Sequence, residues 1–193
     1  MKILLTGANG YIGKRLTIKI LEKGHSVTGA VRQLHGSNSQ YFRQVLVGDI
    51  SICNKWNDLL HDCDCIIHLA ARTHILNDIT KCPIDEFRKV NRDATLQLAK
   101  SAEQLNVKRF VYLSSIGVLG NTTVEGRFNN KTKYNPKEAY AISKMEAEKG
   151  LIKIAELNNI EVVIVRPPLV YGPNAPGNFH RLLRLVDMGL PLP

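Results

Sequence analysis

Tyr140 and Lys144 are the residues of this sequence whose types and spacing most directly suggest chemistry. They stand four positions apart, and residues at that spacing share one face of an α-helix. A free tyrosine hydroxyl has a pKa of about 10, so it can exchange protons near neutrality only beside a positive charge that stabilises the phenolate. Lys144 can supply that charge. The pair predicts an acid/base group, although the spacing alone also fits a surface tyrosine and a solvated lysine.

A second chemical signal is a glycine loop near the start of the chain. Glycines at positions 7, 10 and 13 follow a short apolar run and precede a helical pattern. Glycine permits a tight turn and lets the backbone approach a pyrophosphate, while the following helix offers free N–H groups and a positive dipole end. The GxxGxxG spacing is one residue longer in its first gap than GxGxxG, and a plain strand-to-helix turn is the alternative. The predicted dinucleotide contacts here are Gly7, Asn9, Gly10, Tyr11, Ile12 and Gly13.

The end of the second predicted strand indicates which dinucleotide is used. Dinucleotide-binding folds often place an acid there to bind the adenosine ribose, but this sequence has Val31 followed by Arg32. An arginine suits a 2′-phosphate, so Arg32 favours NADP over NAD; a solvated arginine is the alternative. Asp49 and Ile50 follow the third strand and are expected to flank the adenine, while a simple turn aspartate fits Asp49 equally well.

The elements that must position these residues alternate along the chain. Apolar runs predict strands at residues 3–6, 26–31, 45–47, 65–70, 109–114 and 162–166. Helical patterns occupy residues 11–23, 84–105, 136–157 and the region near 179–188. Continuous apolar strands alternating with helices predict an α/β fold, a Rossmann-type doubly wound parallel sheet. Ligands bind outside the carboxyl ends of such strands, where His68, Ser114 and Ser115 are expected.

Composition excludes several other classes of protein. The chain has 193 residues, 44% of them hydrophobic, and a formal net charge of +9. Its basic residues are scattered, which argues for a solvated surface and against nucleic-acid binding. The absence of a long apolar stretch argues against a membrane span, and the start is interpreted as a strand, so we expect a cytoplasmic protein. Cys63 and Cys65 lack a complementary Cys/His pair, so no metal site is predicted.

These motifs together resemble a known family, the extended short-chain dehydrogenase/reductases, and within it the NAD-dependent epimerase/dehydratase group that acts on nucleotide sugars. The matching segments are residues 6–13, 68–71, 90–91, 113–115, 140–144 and 166–173. The resemblance implies hydride transfer with Tyr140 as the acid/base and Lys144 holding the nicotinamide ribose. Counting back from Gly120 favours Ser115 over Ser114 as the residue that binds the reacting hydroxyl or keto oxygen.

The same resemblance implies further contacts and a partner. The additional cofactor-binding residues are Leu69, Ala70, Ala71, Asn91, Pro167 and Val170. Asn178 resembles an asparagine that touches the substrate diphosphate. Helices of this family often pair across a dimer, so a homodimer is a further expectation. Residues 1–172 are expected to form the NAD(P)-binding domain, and residues 173–193 the start of a truncated substrate-binding domain that is otherwise largely missing. The 193 residues alone are therefore expected to turn over poorly.

Several reactions fit this set of residues. Because Arg32 favours NADP, the sequence favours a 4-ketoreductase of a UDP-hexose or UDP-amino sugar. A UDP-sugar 4-epimerase, which returns the hydride to its substrate, is the main alternative. An NADPH-dependent reductase of a small carbonyl compound also carries an arginine after the second strand, but residues 167–173 and Asn178 argue against it. A non-catalytic dinucleotide sensor would not need Ser115, Tyr140 and Lys144.

Overall fold

A six-stranded parallel sheet forms the centre of the computed structural model, which describes residues 1–36, 38–73, 82–123, 126–173, 175 and 184–189. Its strand order is β3-β2-β1-β4-β5-β6. The strands are β1 (Lys2–Thr6), β2 (Ser26–Val31), β3 (Phe42–Leu46), β4 (Cys65–His68), β5 (Arg109–Leu113) and β6 (Glu161–Val165). The order reverses between β1 and β4, which opens a crevice at their carboxyl ends. This confirms the predicted Rossmann-type fold.

Helices cover both faces of this sheet. They are α1 (Tyr11–Glu22), α2 (Trp56–Leu60), α3 (Pro83–Arg88), α4 (Ala94–Gln104) and α5 (Ala139–Leu157). Leu4 and Ile66 pack on the face beneath α4 and α5, whereas Ile3 and Leu5 pack on the opposite face, beneath α1. Successive strand residues point to opposite faces, so burial on both faces explains why the strands are continuously apolar. No described helix is long and apolar enough to cross a membrane.

Some predicted element boundaries were wrong. The helix predicted over residues 84–105 is divided by a π-helical turn at Lys89–Asp93, which separates α3 from α4. Helix α5 begins at Ala139, because the preceding Glu138 has extended backbone angles. The third strand covers Phe42–Leu46 and the fourth ends at His68. Of the predicted helix near residues 179–188, the structure describes only 184–189, where residues 184–187 are helical.

Candidate active site

The glycine loop leaves no room for side chains at its two ends. Gly7 has a φ of +69°, and a Cβ on it would lie 3.0 Å from the backbone nitrogen of Ala70. A Cβ on Gly13 would lie 2.2 Å from the carbonyl oxygen of Gly7. The backbone of the loop therefore packs closely between the start of α1 and the segment after β4. The predicted contacts Leu69 and Ala70 lie directly against the loop, with Ala71 following them.

The helix that follows the loop has an open N-terminus. Gly10 is its N-cap, no side chain caps it, and no acidic residue stands in its first turn. The first N–H groups of a helix have no intrahelical acceptor, and together with the helix dipole they attract an anion. The side-chain nitrogen of Asn9 donates to the carbonyl oxygen of Gln33 at 2.8 Å and ties the loop to the segment after β2. The loop and helix start thus fit the pyrophosphate of a dinucleotide.

The residues predicted to hold the adenosine end lie in different surroundings. Arg32 is exposed just beyond β2. Asp49 Oδ1 accepts a hydrogen bond from the Ser51 backbone at 2.9 Å, and hydrogen bonding from Ser51, followed by the charges of Lys89 and Arg32, lowers the pKa of Asp49. Asp49 thus caps the turn at Ile50–Ile52. Ile50 is 8% exposed and packs in the core. The contacts of Asp49 and Ile50 with an adenine stay predictions.

Tyr140, Lys144 and Ser115 converge near the carboxyl ends of β4 and β5. Lys144 is 2% exposed, and its Nζ lies 4.1 Å from the ring centroid of Tyr112, on β5. A Cβ on Gly117 would lie 3.4 Å from Ser115 Oγ and 3.6 Å from the Cβ of Ala141. The turn that begins at Ser115 therefore packs against the first turn of α5, which carries Tyr140.

The two adjacent serines differ in their surroundings. Ser115 Oγ accepts a hydrogen bond from the Gly117 backbone at 3.2 Å and caps the 3₁₀ turn Ile116–Leu119. Ser115 is only partly buried. Ser114 is buried, and its hydroxyl makes no hydrogen bond within the described part of the chain. Because Ser115 is partly exposed and Ser114 is buried, Ser115 is the better candidate for contact with a substrate.

The electrostatics of the Tyr140–Lys144 pair differ from the sequence expectation. Burial raises the pKa of Tyr140 in this structure, whereas a base that works near neutrality needs it lowered. Burial also lowers the pKa of Lys144 to about 7, a change that the negative charge of Glu148 opposes. Burial thus disfavours the charged forms of both side chains, which differs from the lowered tyrosine pKa that the sequence predicts.

Asn91 lies in the π-helical turn and holds other parts of the site together. Its side chain is 0% exposed. Its Oδ1 accepts from the Arg72 backbone at 2.8 Å, while its Nδ2 donates to the Arg72 carbonyl and to Ser143 Oγ, each at 3.0 Å. Ser143 in turn donates to the carbonyl of Tyr140 at 2.7 Å. Asn91 thus fastens the segment after β4 to α5, and its contact with the cofactor stays a prediction.

A buried hydrogen-bonded chain, which sequence reasoning missed, passes through His68. Thr95 Oγ1 donates to the carbonyl of Asn91 at 2.8 Å, so it accepts from His68 Nε2 at 2.9 Å. His68 Nδ1 then accepts from Thr6 Oγ1 at 2.7 Å, and Thr6 Oγ1 accepts from the Ala70 backbone at 3.1 Å. Burial is the main cause that lowers the pKa of His68, to about 3. His68 is thus a neutral link between the ends of β1, β4 and the start of α4.

The segment after β6 contacts both the turn that begins at Ser115 and helix α1, which follows the glycine loop. The carbonyl of Pro167 accepts from the Ile116 backbone at 3.0 Å, next to Ser115. Arg15 Nη2, on α1, donates to the carbonyl of Pro173 at 3.3 Å. The predicted cofactor contact Val170 is exposed on this segment. The predicted substrate contact Asn178 lies outside the described residues. No group of three or more metal-ligating side chains is found among the residues described.

Three kinds of similarity relate this chain to known proteins. The family model for the NAD dependent epimerase/dehydratase family matches residues 3–187. The UDP-glucose 4-epimerase of Vibrio cholerae is 40% identical over 193 residues, which are 99% of this chain and 58% of that protein. The structure of the UDP-glucuronic acid 4-epimerase from Bacillus cereus in complex with NAD has a TM-score of 0.84 and 25% identity, covering 100% of this chain and 65% of that one.

A further solved structure, MoeE5 in complex with UDP-glucuronic acid and NAD, has a TM-score of 0.84 and 28% identity, covering 96% of this chain and 61% of its own. The chain thus spans about three fifths of the length of these proteins. Because the family model matches nearly all of the chain, and because the glycine loop and parallel sheet agree with it, this chain belongs to the NAD-dependent epimerase/dehydratase family.

Proposed function

We propose that this chain is the dinucleotide-binding and proton-transfer part of a cytoplasmic enzyme that acts at C4 of a nucleotide sugar, a UDP-hexose or UDP-amino sugar. The observation that carries the proposal is the position of Lys144, and with it Tyr140, at the carboxyl end of β5, in a chain 40% identical to a UDP-glucose 4-epimerase. A bound nicotinamide dinucleotide supplies the hydride acceptor and donor. The close packing around the glycine loop and the uncapped N-terminus of α1 support the binding of that cofactor.

Each residue has a role that its position supports. Tyr140 takes the proton of the sugar hydroxyl and returns it. Ser115 holds the reacting oxygen beside Tyr140. Lys144, when protonated, stabilises the phenolate of Tyr140 and donates to the nicotinamide ribose. Because burial raises the pKa of Tyr140, the positive charge of Lys144 is the feature on which proton transfer depends.

Two reactions at C4 are supported by different observations. A 4-epimerase is favoured by the relatives, since the curated one and the Bacillus structure are both named as 4-epimerases. A 4-ketoreductase is favoured by Arg32, which stands where an acid would bind the ribose of NAD. The deciding experiment incubates the complete gene product with UDP-sugars and their 4-keto forms while NADPH absorbance is followed. Redox-neutral interconversion identifies the epimerase, stoichiometric NADPH consumption identifies the reductase, and no reaction with any sugar contradicts the proposal.

Arg32 is proposed to make NADP the preferred cofactor, and this yields a direct prediction. Replacing Arg32 with alanine should weaken NADP binding by about 10- to 100-fold, the equivalent of one or two charge-assisted hydrogen bonds. NAD binding should stay unchanged, because NAD lacks the 2′-phosphate. Calorimetric titration of both dinucleotides measures this, with Arg43→Ala, an exposed arginine on β3, as control. Tighter binding of NAD than NADP, unaffected by Arg32→Ala, would refute the preference.

A homodimer is proposed to form through an apolar groove between α4 and α5. The groove is lined by Leu96, Ile154 and Leu157 together with Gly150, and Leu157 is 75% exposed. A Cβ on Gly150 would lie 2.5 Å from Leu96, so the two helices approach closely there. Leu157→Asp should convert a dimer to a monomer in sedimentation experiments, whereas Ile52→Asp, equally exposed elsewhere, should not. A monomeric unmodified protein contradicts this proposal.

A further inference from the structure

Glu148 is a fully buried carboxylate that lies on α5, one helical turn beyond Lys144, with 0% of the residue exposed. Arg166, just after β6, contacts both of its oxygens through Nε at 3.1 Å and one of them through Nη2 at 2.6 Å. Tyr134, from the loop before α5, donates its hydroxyl to the same carboxylate at 2.8 Å. A charge taken out of water is tolerated only with partners of this quality, so the position of Glu148 is tightly determined.

The partners of Glu148 also support one another. Arg166 Nη2 donates to the hydroxyl of Tyr134 at 3.0 Å, and the guanidinium carbon lies 5.2 Å from the centroid of the Tyr134 ring. Hydrogen bonding to Glu148 raises the pKa of Arg166. The loop before α5 and the segment after β6 are therefore both anchored on one side chain of the helix that carries Tyr140 and Lys144.

The surroundings of Lys144 contain few charges. His68 approaches from β4 and is neutral, because burial lowers its pKa to about 3. Tyr112 approaches from β5 and is neutral as well, because burial raises its pKa. On its own helix Lys144 has Tyr140 on one side and Glu148 on the other. Among these described neighbours, Glu148 is the carboxylate, and its partner Arg166 adds a positive charge that offsets part of its effect.

We propose that Glu148, held by Arg166 and Tyr134, is a positioning residue that favours the charged form of Lys144 beside Tyr140. Its catalytic meaning rests on the proposed function, because a charged Lys144 is what stabilises the phenolate. Burial disfavours the ammonium form of Lys144, and the carboxylate one turn away favours it. Without that carboxylate Lys144 would lose its proton at a lower pH and would be mostly neutral at pH 7.

The test is a titration of Lys144 itself in the chain without dinucleotide. The ¹³Cε shift of labelled lysine is followed by NMR against pH and assigned with a Lys144→Met variant. The unmodified chain should titrate with a midpoint near the pKa of about 7, and Glu148→Gln should lower that midpoint by about one pH unit or more. Glu146→Gln is the matched control: it lies on the same helix, but its carboxylate pairs with Arg88 and Arg92, so the midpoint should not move. An equal midpoint in Glu148→Gln and the unmodified chain overturns the proposal.

A second variant keeps the test decisive if the first does not fold, since Glu148→Gln leaves the guanidinium of Arg166 without its carboxylate. The double variant Glu148→Gln/Arg166→Gln replaces the ion pair with two neutral amides, and it should restore folding while keeping the lowered midpoint of Lys144. A purely structural role for Glu148 would instead return the midpoint to that of the unmodified chain, which overturns the proposal. The titration requires neither substrate nor dinucleotide, so its result stays independent of which reaction the enzyme catalyses.

Discussion

Replacing Tyr140 with phenylalanine is expected to lower kcat by about 10²- to 10⁴-fold, the usual contribution of a positioned acid/base group. The ring of Tyr140 packs edge-on against Phe87, with centroids 6.2 Å apart, and phenylalanine keeps that contact. The change should therefore remove proton transfer with little effect on folding or dinucleotide affinity. Steady-state kinetics of the complete gene product with its nucleotide sugar measures kcat, and calorimetry measures the dinucleotide Kd.

A tyrosine outside the site provides the control for this prediction. Tyr41 is exposed just before β3, and Tyr41→Phe removes the same hydroxyl without approaching α5, so its kcat should match that of the unmodified enzyme. A Tyr140→Phe enzyme that kept its kcat within a few-fold of the original would show that another group transfers the proton. An equal loss in both variants would instead indicate a general effect of hydroxyl removal.

The second large effect is expected at Asn91, where alanine should reduce the free energy of unfolding by about 3 kcal/mol or more. The substitution leaves the partly buried N–H and C=O of Arg72 and the hydroxyl of the buried Ser143 each short of one hydrogen-bond partner, and each such loss inside a protein costs about 1–3 kcal/mol. The segment after β4 and helix α5 would no longer be fastened together. Urea denaturation monitored by circular dichroism measures the change.

Asn158→Ala is the matched control for Asn91. Asn158 lies exposed at the end of α5, and its Nδ2 donates to the carbonyl of Ile154 at 2.9 Å. The same chemical change in water should cost less than about 1 kcal/mol, because solvent replaces the lost partner. Equal losses for the two variants would mean that the bonds of Asn91 contribute nothing beyond an ordinary surface hydrogen bond. If Asn91→Ala, but not Asn158→Ala, also weakened dinucleotide binding, the hydrogen bonds of Asn91 would be shown to support the cofactor site.

The predictions that succeeded depend on patterns that are local in the chain. Helical periodicity places Tyr140 and Lys144 on one face of α5 without reference to any other element. The apolar strands predicted a sheet buried on both faces, and the observed helices on both faces explain that pattern. Glu148 had a similar local signal that was not used: it stands four residues after Lys144, as Lys144 stands four residues after Tyr140.

The features that the sequence patterns did not predict depend on contacts between distant segments. Asn91 joins two segments through hydrogen bonds to Arg72, 19 residues earlier, and to Ser143, 52 residues later. No spacing in the sequence predicts these pairs. The π-helical turn that contains Asn91 adds a residue to a helix whose periodicity looks continuous. The burial of Ile50 in the core was likewise decided by packing between distant segments.

The sequence by itself determined the succession of strands and helices along the chain, the glycine loop and the residue types available for proton transfer. Each of these follows from local periodicity and spacing. Only the tertiary structure decided the charge of those residues. Burial moves the pKa of Lys144 to about 7 and that of Tyr140 upward, since removal from water disfavours their charged forms. Glu148 opposes this on Lys144, and its own position depends on Arg166 and Tyr134, which folding brings to α5 from two separate loops.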